Sequence, residues 1–239
     1  MAGRVSIRLV RCIVRDAPAT SKGTALVCPA NEMLVGAALP YFPLPRNGAA
    51  GLDAGNVEQR ASELPSTAWG GMEIGSGMFY SSQVIDGVVG LLGGAQLREA
   101  CASIPLNEVQ MRLMPGEATA TPSYGELENR FACILHTVPP LLQPPGVHSE
   151  DEFSKLVSCY GQAIDLAGQY SGVDAVAVPL LGSGARGWTK VASSNALAHA
   201  LANTTLSVHV NVAVRERETA AVVCAALDVH GISFDDDYS

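Results

Sequence analysis

Two hydrophobic periods alternate along the chain. Val5, Ile7 and Leu9 recur every second residue within a run rich in β-branched side chains, residues 5–14, which predicts a strand ending at Arg15-Asp16-Ala17-Pro18. Residues 24–28 form a short apolar run stopped by Pro29; this is the pattern of a strand buried on both faces, and it delivers Asn31 to an edge of the sheet. Residues 131–138, closed by Pro139-Pro140, and residues 175–181 read as two further strands, and 206–214 as a last one. Between them the period changes. Ser149 with Glu152 makes a capping box, and Phe153, Leu156, Val157, Tyr160, Ile164 and Ala167 fall on one apolar stripe, so a helix is predicted over 149–170. Helices are also predicted over 190–201 and 219–229, and over 85–101 despite Gly87, Gly90, Gly93 and Gly94. Strands alternating with helices predict a parallel or mixed sheet sandwiched between helices.

Composition supports a packed core. The chain has 239 residues, ample for one large domain, and its hydrophobic share of 48% includes only 5% aromatics, so Ala, Val, Leu and Ile must fill the interior. With 15 basic against 23 acidic side chains the net charge is −8, and the longest acidic run, 235–237, falls in an expected C-terminal tail. A basic surface that coats polyanions is excluded, and no nucleic-acid partner is expected. Nor does any apolar run reach the roughly 18 residues of a membrane span, and the first 15 residues mix with charge instead of forming a signal core. An intracellular protein, cytoplasmic or nuclear, with no membrane partner is therefore expected. The six cysteines (Cys12, Cys28, Cys101, Cys133, Cys159, Cys224) contain no CxxC pair and read as reduced, structural thiols; no metal site or cofactor is expected.

One stretch breaks the alternation. Residues 37–84 hold seven glycines, four prolines and five of the thirteen aromatics, which predicts a long insertion that is more than a linker.

The chemistry concentrates in loops. Gly182-Ser183-Gly184-Ala185-Arg186-Gly187 lies between a predicted strand and a helix, where glycines let backbone N–H groups approach an anion near the helix N-terminus. It is neither a Walker A loop, which needs Gly-Lys-Ser/Thr, nor a GxGxxG paired with a ribose-binding acid downstream, so it reads either as a diphosphate cradle or as a plain turn. His136, inside an apolar strand, reads as a hydrogen-bonded core residue. His148, His199, His209 and His230 have no metal spacing, and no Ser or Cys sits in a nucleophile elbow.

Taken in order, these loops resemble the macro domain, the ADP-ribose-binding family. Arg15-Asp16-Ala17 resembles its Gly-Asp-Ile turn, and Ala25 through Gly36 its Ala-Ile-Val-Asn-Ala-Ala-Asn-x-x-Leu-x-Gly motif. Gly116 to Tyr124 and Ile134-Leu135-His136-Thr137-Val138-x-Pro140 are similar to its Gly-x-Ala-x-x-Thr-x-Gly-Tyr and Val-Ile-His-Thr-Val-Gly-Pro. Residues 179–188 resemble Pro-Ala-Ile-Gly-Thr-Gly-x-Phe-Gly-Tyr, and Ile85-Asp86-Gly87-Val88-Val89 resembles Val-Asp-Gly-Ala-Ile. The resemblance implies an α/β fold of three α/β/α layers around a mixed central sheet, as a single domain over residues 1–239 carrying the insertion at about 37–84.

It also implies roles. Asp16 would accept the adenine amino group, or else simply brace its turn. Asn31 would bond the distal ribose, supported by Ala30 and Gly36, and Gly182, Ser183, Gly184, Ala185, Arg186, Gly187 and Trp188 would line the diphosphate side, with Arg215 at the adenine. Asp86 would activate water for hydrolysis beside Asn31, or else brace the following helix. The implied function is ADP-ribose binding, with hydrolysis of mono-ADP-ribose from modified proteins or of O-acetyl-ADP-ribose. Alternatives are a non-catalytic reader of ADP-ribosylated proteins and a phosphatase of ADP-ribose 1″-phosphate. The chain departs from the pattern at four places. The insertion replaces a short polyglycine loop, Gly90 stands where hydrolytic members carry a histidine, Arg186 replaces a phenylalanine, and Arg215 replaces an aromatic that stacks on adenine.

Overall fold

Apolar residues on both sides of a strand demand cover on both sides, and Leu26 and Cys28 face one way while Ala25 and Val27 face the other, all buried. The computed structural model, which describes residues 4–16, 23–35 and 84–236, meets that demand with helices on each face of a seven-stranded sheet. The strands are β1 (Val5–Leu9), β2 (Thr24–Pro29), β3 (Ala118–Pro122), β4 (Cys133–Thr137), β5 (Ala175–Pro179), β6 (His209–Val214) and β7 (Phe234–Asp236), in the order β3-β4-β2-β5-β6-β1-β7. Only β3 runs antiparallel to its neighbour.

The helices are α1 (Ile85–Ser103), α2 (Glu150–Gln169), α3 (Lys190–Asn203) and α4 (Arg217–Val229). On one face α1 packs Val88, Val89, Leu97 and Cys101 against Leu26, Cys28 and Ile134. On the other, α2, α3 and α4 cover Val27, Leu135, Val178 and Val212. The layers are thus α/β/α with a mixed sheet, as expected.

Local chemistry sets the boundaries. The capping box at α2 forms: Glu152 N–H donates to Ser149 Oγ at 3.2 Å, and Ser149 N–H donates to the Glu152 carboxylate at 2.8 Å. Helix α1 continues through its glycines but breaks at Gly94, whose φ of 65° is left-handed. The first strand stops at Leu9, earlier than the β-branched run suggests, because residues 11–16 fold around the Asp16 carboxylate instead. Two strands escape the hydrophobic pattern. β3 is short and half-polar, and β7 recruits Asp235 and Asp236, the acidic residues expected in a tail, to the sheet edge. The 37–84 insertion lies outside the described residues except for Val84.

Candidate functional site

Parallel strands put their C-terminal ends along one edge, and loops there form the crevice in which α/β proteins hold ligands. β2 and β5 are neighbours in register, Leu26 opposite Ala177, so the loop after β2 (residues 30–35) and the loop after β5 (residues 180–188) meet side by side. The loops after β6 and β1 continue the same edge.

The β5 loop is anchored at its root by a closed ring of three hydrogen bonds. Leu181 N–H donates to Tyr160 Oη at 2.6 Å, Tyr160 lies 2.7 Å from Ser193 Oγ, and Ser193 Oγ donates to Leu181 C=O at 2.7 Å. With Ser193 donating to Leu181, the tyrosine hydroxyl donates to Ser193, and every group is satisfied. Burial pushes the Tyr160 phenol well up despite these bonds, so it stays neutral. Gly182 takes φ 74°, and a Cβ there would lie 2.5 Å from Trp188 Cδ1. Only glycine fits so close to that ring.

Trp188 turns inward, 3% exposed, and its Nε1–H donates to Pro140 C=O at 2.8 Å. It supports the loop from beneath. Gly187 N–H donates to Gly184 C=O at 3.1 Å, and Ser183 Oγ–H to Leu180 C=O at 2.9 Å. At Gly184 a Cβ would meet no atom of the described residues within 4 Å.

Arg186 crosses to the neighbouring loop. Its guanidinium grips Glu32 at both oxygens, 2.8 and 3.1 Å, and donates to Ala30 C=O at 3.2 Å. Burial would raise the Glu32 carboxyl, but hydrogen bonding and charge from Arg186 outweigh it and hold the pKa below the ordinary carboxylate value. Asn31, beside this pair, folds its own loop: Oδ1 accepts from Met33 N–H at 3.1 Å and Val35 N–H at 3.3 Å. Ala30 is buried and is the first residue after β2, while Gly36 lies outside the described residues.

At the far end of the edge, Asp16 Oδ2 accepts from Arg11 N–H at 2.7 Å and Cys12 N–H at 2.9 Å. Arg215 Nε–H donates to Arg11 C=O at 2.9 Å. The two residues implied for the adenine are therefore brought to one turn, and both also brace it.

Asp86 sits in the first turn of α1, where a carboxylate complements the helix dipole. It lines a cavity of about 160 Å³ with Cys28, Ala30, Leu34, Leu97 and His136, so the structure brings it beneath the Asn31 loop. Gly90 borders the same cavity, and a Cβ there would meet no atom of the described residues within 4 Å. Burial drives the Cys28 thiol well up, with the nearby Asp86 charge adding to the effect, so Cys28 is no nucleophile at neutral pH. His136, expected as a core histidine, is one: it is 4% exposed, and its Nε2 lies 2.9 Å from Thr121 Oγ1 and 3.8 Å from Cys101 Sγ. Burial lowers its pKa to about 4. Among the described residues no group of three or more His, Cys, Asp or Glu side chains could hold a metal ion, and no helix is long and apolar enough to cross a membrane.

Sequence reasoning missed Glu32 and the Tyr160–Ser193 ring. Glu32 occupies an unconstrained position in its motif, and its partner lies 154 residues away, so no local pattern marks it.

The comparisons with known proteins point one way. The family profile for the Macro domain matches residues 77–197. A macro domain-containing protein of Streptomyces nogalater is 32% identical over 104 residues, 44% of this chain and 53% of that protein. One from Xanthomonas campestris is 33% identical over 104 residues, again 44% of this chain and 54% of the relative. The chain thus spans about half the length of the curated relatives it matches. Among solved structures, an Oceanobacillus iheyensis macrodomain variant with ADPR superposes with a TM-score of 0.58 at 16% identity, covering 94% of this chain and 91% of the other. A Trypanosoma brucei macrodomain in complex with ADP gives 0.53 at 17% identity, over 93% and 69%. At those identities the superpositions speak for the fold.

Proposed function

The chain belongs to the macro domain family, and from that premise we propose that it binds ADP-ribose along the C-terminal edge of the sheet. The observation that carries the reading is the juxtaposition of the β2 and β5 loops, with no atom of the described residues crowding the Cβ position of Gly184. Diphosphate oxygens would meet backbone N–H groups at residues 183–185, just before the N-terminus of α3. Asn31 would hold the distal ribose, and Asp16 with Arg215 the adenosine end. Solved family members carrying ADPR and ADP support the ligand class.

The chemistry that follows is hydrolytic removal of mono-ADP-ribose from acidic protein side chains, or of the acetyl group from O-acetyl-ADP-ribose. Water held by Asp86 would attack the anomeric carbon of the distal ribose. The carbon–oxygen bond to the acyl group breaks, the carboxylate leaves with the bonding pair, and Asp86 takes up the water's proton. Asp86 lines a cavity together with Ala30 and Leu34, on either side of Asn31 in the β2 loop, which supports this assignment. A second reading is favoured by Gly90: it offers no side chain to the cavity where hydrolytic relatives are expected to place an imidazole, so the protein would read ADP-ribosylated partners without turning them over.

Two measurements decide. A Cβ at 184 meets no atom of the described residues, so Gly184→Glu should fold normally and abolish ADP-ribose binding by titration calorimetry; undiminished affinity removes the diphosphate from this loop. Incubation with mono-ADP-ribosylated protein separates the readings of activity. Release of ADP-ribose that disappears in Asp86→Ala marks the hydrolase, and tight binding without release marks the reader.

A further inference from the structure

Resting on the ADP-ribose reading above, we propose that Glu32 and Arg186 form a clasp across the cleft that positions the β5 loop for the diphosphate, which makes Glu32 a positioning residue for ligand binding. Glu32 belongs to no motif constraint that the cleft would otherwise explain. Yet its carboxylate takes both terminal nitrogens of Arg186 in a bidentate fork, the geometry in which arginine and carboxylate bind most strongly and most directionally.

Each end of the clasp is seated in a different part of the fold. The Glu32 carbonyl accepts from Arg112 N–H at 2.9 Å and Leu113 N–H at 3.1 Å, which ties the β2 loop to the segment before β3. The Arg186 carbonyl accepts from Leu142 N–H at 2.9 Å, which ties the β5 loop to the segment after β4. Arg186 also holds Ala30 C=O, the last residue before Asn31. One ion pair therefore fixes the spacing between the ribose side and the diphosphate side of the cleft.

The pair is also partly withdrawn from water, with side-chain exposures of 17% for Arg186 and 27% for Glu32. In that setting each charge needs the other, because an unpaired ion there keeps a desolvation cost with no return. The pairing has an electrostatic consequence for the ligand too. Arg186 cancels a carboxylate that would otherwise repel an incoming diphosphate in a chain of net charge −8.

The test compares ADP-ribose, ADP and adenosine by calorimetry and ligand-observed NMR on the wild type, Glu32→Gln, Arg186→Lys and the double charge swap Glu32→Arg/Arg186→Glu. Each single variant should weaken ADP-ribose and ADP by about tenfold, equal to about 1.4 kcal/mol, and leave adenosine unchanged. Lysine keeps the charge but loses the fork, and the swap should recover most of the loss. Unchanged or tighter ADP-ribose binding by Glu32→Gln overturns the clasp, because the carboxylate would then be idle or competing with the ligand for Arg186. A parallel loss of adenosine also overturns it, since general damage rather than positioning would be the cause. A wild type that binds no ADP-ribose ends the reading beneath the proposal and the proposal with it; a wild type that binds while all variants match it ends the clasp alone.

Discussion

His136 makes the protein acid-labile in a window that its burial defines. The ring is 4% exposed in the centre of β4, and burial lowers its pKa to about 4, against the ordinary value of 6.5. Above pH 6.5 the imidazole is neutral folded and unfolded, so it contributes no pH dependence. Between 6.5 and about 4 the unfolded chain takes up the proton and the folded chain does not, so stability falls as pH falls, and below about 4 the effect levels off. At about 1.36 kcal/mol per pH unit the full penalty is about 3 kcal/mol, of which about 2 kcal/mol has accumulated by pH 5. Against the typical 5–15 kcal/mol total for a domain, that is a large fraction. The assay is urea unfolding at pH 7, 6 and 5 for the wild type and for His136→Gln, which keeps a polar group for Thr121 but cannot titrate. Other carboxylates destabilise both proteins alike, so the informative quantity is the difference: the wild type should lose about 2 kcal/mol more than the variant between pH 7 and pH 5. Parallel pH curves, or the assigned His136 imidazole resonance titrating near 6.5 in the folded protein, refute the reasoning.

Two substitutions test how the β5 loop is held. Tyr160→Phe deletes the hydroxyl that accepts from Leu181 N–H and donates to Ser193, leaving a buried backbone donor unmatched; denaturant titration should show a loss of about 1–3 kcal/mol, and a loss below about 0.5 kcal/mol would mean that water repairs the ring. Gly182→Ala must place a methyl group 2.5 Å from Trp188 Cδ1 at a left-handed φ, so it should cost at least about 1 kcal/mol and weaken ADP-ribose binding, whereas a wild-type melting temperature would show that Trp188 yields easily.

The sequence exposes the parts of this fold that obey a local period. The alternation of Val5, Ile7 and Leu9, the capping box at Ser149 and the stripe along α2 each need only a few neighbouring residues, and each forms. β3 and β7 do not announce themselves because edge strands take stability from one partner and tolerate polar residues such as Thr119 and Asp235. In the site, the loops themselves were legible from Asn31 and from the glycines at 182, 184 and 187, since backbone constraints leave a mark in composition. Side-chain orientation was not. That Trp188 faces Pro140 and not the cleft, that Arg186 reaches Glu32, and that Tyr160 closes a ring under Leu181 are all set by tertiary packing between segments far apart in the chain.

These long-range contacts share a consequence for binding. The β5 loop is fixed at its root by the Tyr160 ring, at its middle by Arg186 on Glu32 and Ala30, and at its end by Trp188 on Pro140 and by Gly187 C=O, which accepts from Gly146 N–H at 2.8 Å. Residues 183–185 hang between these fixed points, and Gly184 adds no side chain in front of the backbone. Ordering a loop on binding costs about 1–2 kcal/mol of backbone entropy per residue, a cost already met here by folding. On the proposed reading such a loop would need no lysine to retain a diphosphate, because donors fixed in place before a ligand arrives lose nothing further when they engage it.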